Sequence, residues 1–227
     1  MSSAPAPARK TARVALIGLE DSSTAVLADC FNRFGLDTHF VAGAQVERMF
    51  TERFDAGVLR LDESAQQVLE IIRGVPANFR MVIYGLATTT AQALRYARYG
   101  INAIIQDPVE ERDVLRAIRL THLLVVHEFR KYIRIPLITT VEVQAEGQKL
   151  MAMGEELSSG GMSLQLGSKL PPGLLVELAF TLPNAAPMRI PASVRWAREG
   201  QIGVRFKEHD PNRRRLKQWL DQYLGIV

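Results

Sequence analysis

Two short segments in the second half of the chain carry residue types suited to binding an anion. Arg130 and Arg134 are separated by three residues, and a later segment reads Glu156-Leu157-Ser158-Ser159-Gly160-Gly161. Guanidinium groups donate paired hydrogen bonds to phosphate oxygens or to the Hoogsteen edge of guanine. Glycines and serines in a turn let backbone N–H groups and hydroxyls approach a ligand closely. Together the two segments indicate a site for an anionic ligand such as a nucleotide.

A structural explanation for the two arginines competes with this interpretation. Arg130 and Arg134 lie near the end of a predicted helix, where basic side chains favour the negative end of the helix dipole and keep the surface soluble. The Ser/Gly segment that follows favours ligand contact. Residues 128–227 hold 14 Lys+Arg and 10 Asp+Glu, whereas residues 1–127 hold 14 of each, so the net charge of +4 lies in the second half. A basic domain suits an anionic partner, although charge alone does not exclude a merely soluble surface.

No other arrangement of residues indicates catalysis or metal binding. The four histidines are scattered, and His122 and His127 are five residues apart, which misses the i, i+4 spacing of a metal-binding helix face. The chain contains no Gly-x-Ser-x-Gly, P-loop or dinucleotide-binding sequence. The run Arg213-Arg214-Arg215 is interpreted as the solvated face of an amphipathic helix rather than as a nucleic-acid contact. We therefore expect no enzymatic activity, no cofactor, no metal site and no nucleic-acid partner.

The size and composition of the chain fit a two-domain globular protein. It has 227 residues, of which 47% are hydrophobic and 23% are charged. No apolar run reaches the roughly 18 residues that a membrane-spanning helix needs. The Ser/Ala/Pro-rich residues 1–10 are expected to form a disordered leader, neither a signal peptide nor an anchor. Cys30 is the only cysteine, which excludes an internal disulfide and favours a buried thiol in a protein of the reducing cytoplasm.

The first half of the chain alternates between strand and helix patterns. Strands are predicted at residues 13–18, 38–41, 55–59, 81–84 and 103–105. Apolar residues at helical spacing predict helices between them, including one over Thr90–Tyr99. Five strands alternating with helices indicate a parallel sheet covered by helices on both faces. A long helix from Glu110 to about Phe129, free of Gly and Pro, is expected to end this domain and run into the junction.

The second half consists of short apolar runs separated by Gly, Pro and Asn. Strands are predicted at residues 138–143, 150–153, 162–166, 174–181, 190–196 and 202–206. Regular short strands with this punctuation indicate an antiparallel barrel or sandwich. Residues 211–224 place their apolar side chains on one helical face, which predicts an amphipathic C-terminal helix.

The order of elements over residues 11–127 resembles the receiver domain of response regulators. The stretch Gly100–Pro108 resembles the fifth strand of a receiver and its Lys-Pro turn, and Phe54–Arg60 resembles the third strand leading to the phosphoacceptor. This resemblance implies an α/β domain with a doubly wound parallel sheet. It also implies a phosphorylation site, which needs a carboxylate nucleophile, a Mg²⁺ held by further acids, and a Lys that neutralises the phosphoryl oxygens.

The residues that a receiver needs for phosphorylation are absent. The nucleophile, the Lys, the switching Ser or Thr and the acid pair correspond to Arg60, Asp107, Gly85 and Gly18-Leu19. A shifted alignment brings Glu20-Asp21 or Asp62 into play but does not restore all four positions. We therefore expect a degenerate receiver-like domain that is not phosphorylated. Arg60 and Asp107 either form an ion pair in place of the lost site or are two unrelated solvated charges.

The last hundred residues resemble a PilZ domain. The segment Arg130–Arg134 resembles the Arg-x-x-x-Arg motif that opens PilZ domains, and Glu156–Gly161 resembles their Asp/Asn-x-Ser-x-x-Gly motif. Residues 192–196 and 200–206 are similar to the closing hairpin of the family. The resemblance covers residues 128–227 and implies an all-β PilZ-type antiparallel barrel with a C-terminal helix.

PilZ domains form a bacterial receptor family for cyclic di-GMP, so the resemblance implies this nucleotide as ligand. The implied contacts are Arg130, Arg134, Glu156, Ser158, Ser159 and Gly161. Glu156 departs from the Asp or Asn of the family motif. Its carboxylate still accepts from guanine N1–H and N2–H₂, but its stem is one methylene longer, and imperfect pairing would cost about 1–3 kcal/mol.

Two functions from different classes fit this sequence. The first is a cytoplasmic signalling protein that binds cyclic di-GMP at the PilZ domain and relays it to protein partners through a receiver-like domain that is not phosphorylated. The expected process is bacterial motility. The second is a ligand-independent protein-interaction scaffold in motility or polarity signalling. A nucleotide that binds the native state raises the melting temperature, so the first function predicts a shift and the second predicts none.

Overall fold

The chain forms two compact units. A computed structural model describes residues 11–224, and the leader predicted over residues 1–10 lies outside them. The first unit spans Thr11–Phe129, and the second begins at Arg130. The first contains a five-stranded sheet and the second a closed six-stranded barrel.

The first unit alternates strands with helices, as predicted. Its strands are β1 (Ala12–Ile17), β2 (Leu36–Val41), β3 (Ala56–Arg60), β4 (Val82–Ala87) and β5 (Ala103–Gln106). Its helices are α1 (Asp21–Asn32), α2 (Arg48–Thr51), α3 (Ala65–Gly74), α4 (Thr90–Arg95) and α5 (Glu111–Tyr132), with 3₁₀ turns at Gly43–Gln45 and Ala97–Tyr99. The strands are parallel and follow the order β2-β1-β3-β4-β5. This is a doubly wound sheet that changes direction between β1 and β3, and the predicted fold class is confirmed.

The centre of this sheet is buried on both faces. Every residue of β4 is buried, and so are the first four residues of β3, as expected for parallel strands covered by helices. Tyr84 of β4 is fully buried, and its hydroxyl lies 2.5 Å from the hydroxyl of Thr121 on α5. Burial raises the pKa of Tyr84 to about 12. The hydroxyl therefore stays protonated and joins α5 to the sheet.

The helix predicted over Thr90–Tyr99 is shorter in the structure. The α-helix ends at Arg95, and a 3₁₀ turn follows over Ala97–Tyr99. The carbonyl groups of Tyr99 and Gly100 accept hydrogen bonds from Arg73, at 2.7 and 2.9 Å. The Arg73 side chain thus provides donors for two backbone carbonyl groups that have no partner within the helix.

Helix α5 is the longest helix and confirms the one predicted from Glu110 to about Phe129. It runs without interruption from Glu111 to Tyr132. Acidic residues occupy its first turn and basic residues its last, which favours the helix dipole at both ends. Across residues 11–224, neither this helix nor any other is long and apolar enough to cross a membrane.

The second unit is an antiparallel barrel followed by a helix, which confirms the predicted class. Its strands are β6 (Ile135–Ala145), β7 (Gln148–Leu157), β8 (Gly161–Gln165), β9 (Leu175–Phe180), β10 (Met188–Arg198) and β11 (Gln201–Phe206), and the helix is α6 (Pro211–Tyr223). The barrel closes in the order β10-β11-β8-β7-β6-β9. Side chains alternate between buried and more exposed positions along β9. Every second side chain of this strand therefore points into the barrel core.

Strands β6 and β7 are longer than the sequence predicts. The predicted spans 138–143 and 150–153 lie inside Ile135–Ala145 and Gln148–Leu157. Register shifts interrupt the β6–β7 ladder between Pro136 and Thr139 and the β7–β8 ladder between Gly154 and Glu156. These bulges break the alternation of apolar and polar residues, which is why the sequence pattern underestimates both strands.

Helix α6 packs on the barrel through its apolar face. Asp210 caps it by accepting a hydrogen bond from Asn212 N at 2.9 Å, and Pro211 occupies its first turn. Leu216 and Leu220 are buried in the barrel core. The helix is therefore a fixed part of the second unit.

Candidate functional site

The two motif arginines both lie just before the first strand of the barrel. Arg130 is in the last turn of α5, and its side chain is 34% exposed. Arg134 directly precedes β6 and is exposed. The sequence predicted both as ligand contacts, and both present a guanidinium group near the same end of β6.

Strand register brings the second motif to that end of β6. Ile135 pairs with Leu157, the last residue of β7. Arg134 directly precedes Ile135, and Ser158 directly follows Leu157. Because β6 and β7 are antiparallel, these two residues leave the ladder at the same end.

Ser158 shapes the turn between β7 and β8. Its hydroxyl accepts hydrogen bonds from the backbone N–H groups of Gly160 and Gly161, at 3.3 and 3.1 Å. The same hydroxyl donates to the Gly161 carbonyl at 3.1 Å, and the Ser158 N–H donates to that carbonyl at 2.9 Å. Ser158 is 9% exposed. Its side chain is thus occupied within the turn that the motif forms.

Ser159 links this turn to the arginine segment. Its hydroxyl donates a hydrogen bond of 3.4 Å to the backbone carbonyl of Arg130. The two residues are 29 positions apart in the chain. The two segments singled out in the sequence therefore meet in the folded unit.

Gly161 fits its position only because it lacks a side chain. It begins β8, where it pairs with Arg205 of β11. A Cβ atom at this position would overlap the backbone carbonyl oxygen of Val204. The role of this glycine in the structure is therefore close backbone packing between β8 and β11.

Glu156 lies at the irregular end of β7. Its backbone pairs with Pro136 on one side and with Ser163 on the other, next to the bulge in the β7–β8 ladder. Its neighbour Glu155 accepts hydrogen bonds from the side chain of Gln201 at 3.0 and 3.1 Å. Glu156 itself is half-buried. Of the two glutamates, Glu155 is the one engaged within the barrel.

Two residues of α6 contact this site, and sequence reasoning missed both. Asp221 Oδ1 lies 2.7 Å from Arg130 Nε. Arg213 Nε donates to the carbonyl of Ser159 at 2.9 Å. The interpretation of Arg213 as a solvated side chain is wrong, because Arg213 also donates to the carbonyl of Glu208 at 3.2 Å. The helical spacing of Leu216 and Leu220 predicts the face that packs on the barrel. It does not predict which polar side chains of the helix contact the β7–β8 turn.

The receiver-like unit carries an ion-pair cluster at the end of β3. Arg60 ends β3, and its guanidinium lies 3.4 Å from Asp107 Oδ2 and 3.4 Å from Glu20 Oε1. Asp107 is the more buried partner, with 12% of its side chain exposed. Of the two alternatives for Arg60 and Asp107, the structure therefore shows the ion pair.

The neighbouring positions also differ from those of a phosphorylation site. A Cβ atom at Gly85 would lie 2.6 Å from a Leu61 methyl carbon, so Leu61 fills the space beside this glycine. Asp62 Oδ1 accepts hydrogen bonds from the N–H and hydroxyl of Ser64, at 2.9 and 2.7 Å. Among residues 11–224, no group of three or more His, Cys, Asp or Glu side chains is arranged to hold a metal ion. The charged group that lies between Asp107 and Glu20 is the Arg60 guanidinium.

Comparison with protein families decides the identity of the second unit. The PilZ domain family matches residues 128–222. These residues form a PilZ domain. The N-terminal unit has a receiver-like fold. A comparison with curated proteins finds no match.

Solved structures similar to the chain include proteins of both fold types. The PilZ domain of CeSA from a cellulose-synthesising bacterium is 23% identical, with a TM-score of 0.32, over 35% of this chain and 85% of that one. The receiver domain of the sensor histidine kinase PA1611 from Pseudomonas aeruginosa is 19% identical, with a TM-score of 0.42, over 50% of this chain and 98% of that one. The chemotaxis response regulator CheY4 of Vibrio cholerae is 14% identical, with a TM-score of 0.45, over 48% of this chain and 98% of that one.

The receiver-like unit is expected not to accept a phosphoryl group. By sequence Arg60 corresponds to the nucleophile position, and its guanidinium is paired with Asp107. Incubation with acetyl phosphate and Mg²⁺ should leave the intact mass of the protein unchanged. A stable gain of about 80 Da, the mass of one phosphoryl group on an aspartate, that maps to Asp21 or Asp62 would contradict this expectation.

Proposed function

We propose that this protein is a non-enzymatic bacterial signalling protein that binds cyclic di-GMP through its PilZ domain. The receiver-like unit then relays the bound state to a protein partner without being phosphorylated. The observation that carries the proposal is the 3.4 Å contact between Ser159 and the Arg130 carbonyl, because it joins two separate sequence motifs at one place. Its proposed setting is the cytoplasm, where a nucleotide second messenger would reach it.

The chemistry of the site supports an anionic nucleotide with two guanines. Arg130 and Arg134 carry two guanidinium groups at one end of β6, and each can form paired hydrogen bonds with a phosphate or a guanine edge. The Ser158–Gly161 turn contacts the backbone of Arg130 through the Ser159 hydroxyl, which supports a shared site. The net charge of +4 lies in the half of the chain that contains this site. These features complement the phosphates and bases of cyclic di-GMP.

Glu156 is proposed to accept hydrogen bonds from a guanine Watson–Crick edge. Its neighbour Glu155 is engaged with Gln201, whereas Glu156 is half-buried at the bulge beside the turn. A carboxylate can accept from guanine N1–H and N2–H₂ at once. Ser158 is proposed to act through the shape of the turn, because its hydroxyl is already hydrogen-bonded to Gly160 and Gly161.

Helix α5 is the proposed route of the relay. It is one uninterrupted helix whose residues belong to the first unit up to Phe129 and to the second from Arg130 onward. A ligand shifts an equilibrium only through contacts that differ between two states. Arg130 and Arg134 would supply such contacts at the end of this helix. The partner is proposed to be a signalling or motility protein that binds the receiver-like unit.

A second candidate function is a scaffold that binds proteins without any ligand. One observation favours it: Leu120 and Leu123 of α5 are 76% and 78% exposed, and Leu124 beside them is 48% exposed. Neighbouring exposed leucines on one helix suit a protein contact. This scaffold would use the receiver-like unit in the same way but would not respond to nucleotide.

Substitution of either motif arginine is expected to weaken nucleotide binding strongly. The full chain should bind cyclic di-GMP with a Kd in the micromolar range or tighter, because a charge-assisted hydrogen bond contributes about 1.5–3 kcal/mol. Arg130→Ala and Arg134→Ala each remove such contacts and should reduce affinity roughly ten- to a hundredfold. Isothermal titration calorimetry measures both effects.

Arg198→Ala is a matched control for these variants. It removes the same charge from an exposed position of the PilZ domain. Arg198 pairs with Gln201 at one end of β11. Gly161 of the candidate site pairs with Arg205 near the other end of that strand. The Arg198→Ala variant should bind cyclic di-GMP with the affinity of the wild type. Absence of binding heat in the wild type, or full affinity in both motif variants, would refute the proposal.

Nucleotide binding is expected to slow hydrogen exchange over residues 127–137. These residues include the end of α5, both motif arginines and the start of β6, and ordering the arginines around a ligand fixes the backbone that carries them. Exchange mass spectrometry with cyclic di-GMP should show the change, whereas GMP, as a control, should not. Unchanged exchange with nucleotide bound would argue against the relay and leave the receiver-like unit as a passive docking module.

A further inference from the structure

Helix α6 belongs to neither sequence motif, yet it contacts both halves of the candidate nucleotide site. Asp221 reaches the arginine segment through the 2.7 Å ion pair with Arg130. Arg213 reaches the Ser158–Gly161 turn through the 2.9 Å hydrogen bond to the Ser159 carbonyl. Arg213 and Asp221 are eight positions apart, roughly two turns of this helix, so a single rigid element spans the site.

The geometry of the ion pair leaves most of the Arg130 guanidinium available. Asp221 Oδ1 pairs with Nε by charge, and this buried nitrogen donates no hydrogen bond within residues 11–224. The Arg130 side chain as a whole is nevertheless 34% exposed. A guanidinium has five N–H donors, of which Nε supplies one. The carboxylate therefore lies at the Nε side of the group, and the two Nη atoms carry the other four donors.

Asp221 is itself held in place. Its neighbour Leu220 is 3% exposed in the barrel core. Trp219, one residue earlier, donates its indole N–H to the Pro183 carbonyl at 2.9 Å. The Asp221 side chain is only 17% exposed. The carboxylate is thus a fixed point against which the flexible Arg130 side chain is oriented.

Arg213 fixes the other half of the site in a similar way. Its two hydrogen bonds, to the carbonyls of Ser159 and Glu208, join the β7–β8 turn to the segment that leads into α6. The next residue, Arg214, is exposed and has the same charge. The two adjacent arginines therefore differ in contact rather than in charge.

We propose that α6 is a working part of the nucleotide site, with Asp221 and Arg213 as positioning residues. Asp221 orients the Arg130 guanidinium for the ligand, and Arg213 holds the Ser158–Gly161 turn in its binding shape. This inference rests on the proposed function. Positioning lowers the entropy that the ligand must remove from flexible side chains on binding. If Asp221 instead competed with the ligand phosphates for Arg130, its removal would tighten binding.

Calorimetry with cyclic di-GMP on full-length variants tests the positioning role of Asp221. Asp221→Ala should weaken binding about three- to tenfold, the range expected for losing the order of one long side chain. Asp221→Glu should keep affinity closer to wild type than Asp221→Ala does, because it retains the carboxylate that pairs with Arg130. A purely structural role would lower the melting temperature of the nucleotide-free protein without this rescue of affinity.

Arg213→Ala and Arg214→Ala form the second, independent comparison. Both remove one positive charge, so the general attraction for an anion changes equally. Arg213→Ala should weaken binding by about three- to tenfold, and Arg214→Ala should match wild type. If Asp221→Ala does not fold, this comparison decides the inference.

The outcomes separate the inference from the proposed function. Wild-type binding with equal or tighter binding by Asp221→Ala overturns the positioning role and leaves the proposed function standing. Equal affinities of Arg213→Ala and Arg214→Ala overturn the role of Arg213 in the same way. Absence of binding by the wild type overturns the proposed function and the inference together.

Discussion

The pairing of Ile135 with Leu157 at the end of the β6–β7 ladder sets where the candidate ligand contacts lie. It places Arg134 and Ser158 at the same end of two antiparallel strands. The hydrogen bond from Ser159 to the Arg130 carbonyl then brings the end of α5 to the turn. A shift of one residue in this register would turn side chains to the opposite face of the sheet and separate the two motifs.

The receiver-like unit keeps its fold while its charge chemistry is inverted. The doubly wound sheet still brings the ends of β1, β3 and β5 to one edge, but Arg60 now stands between Asp107 and Glu20. The Arg60 guanidinium pairs with both carboxylates. The apolar core of the unit holds the fold, and these ion pairs lie outside that core.

The sequence predicts the fold well because the spacing of apolar residues indicates which side chains are buried. The five strands of the first unit and the six strands of the barrel follow from this pattern. It misses the short helix α2, the ends of β6, β7 and β10, and the early end of α4. The candidate site is predicted less completely. Local motifs identify Arg130 and the Ser158–Gly161 turn, whereas Asp221 and Arg213 become neighbours of the site only through the packing of α6. Contacts between residues so distant in sequence leave no local pattern.

The melting temperature of the full-length protein with and without cyclic di-GMP tests the central claim most directly. A ligand that binds only the native state stabilises it by about 2.7 kcal/mol at a concentration of 100 times Kd, which shifts the transition by several degrees. We expect cyclic di-GMP to raise the melting temperature and GMP at equal concentration to leave it unchanged. No shift at millimolar cyclic di-GMP would contradict the receptor account and favour the ligand-independent scaffold.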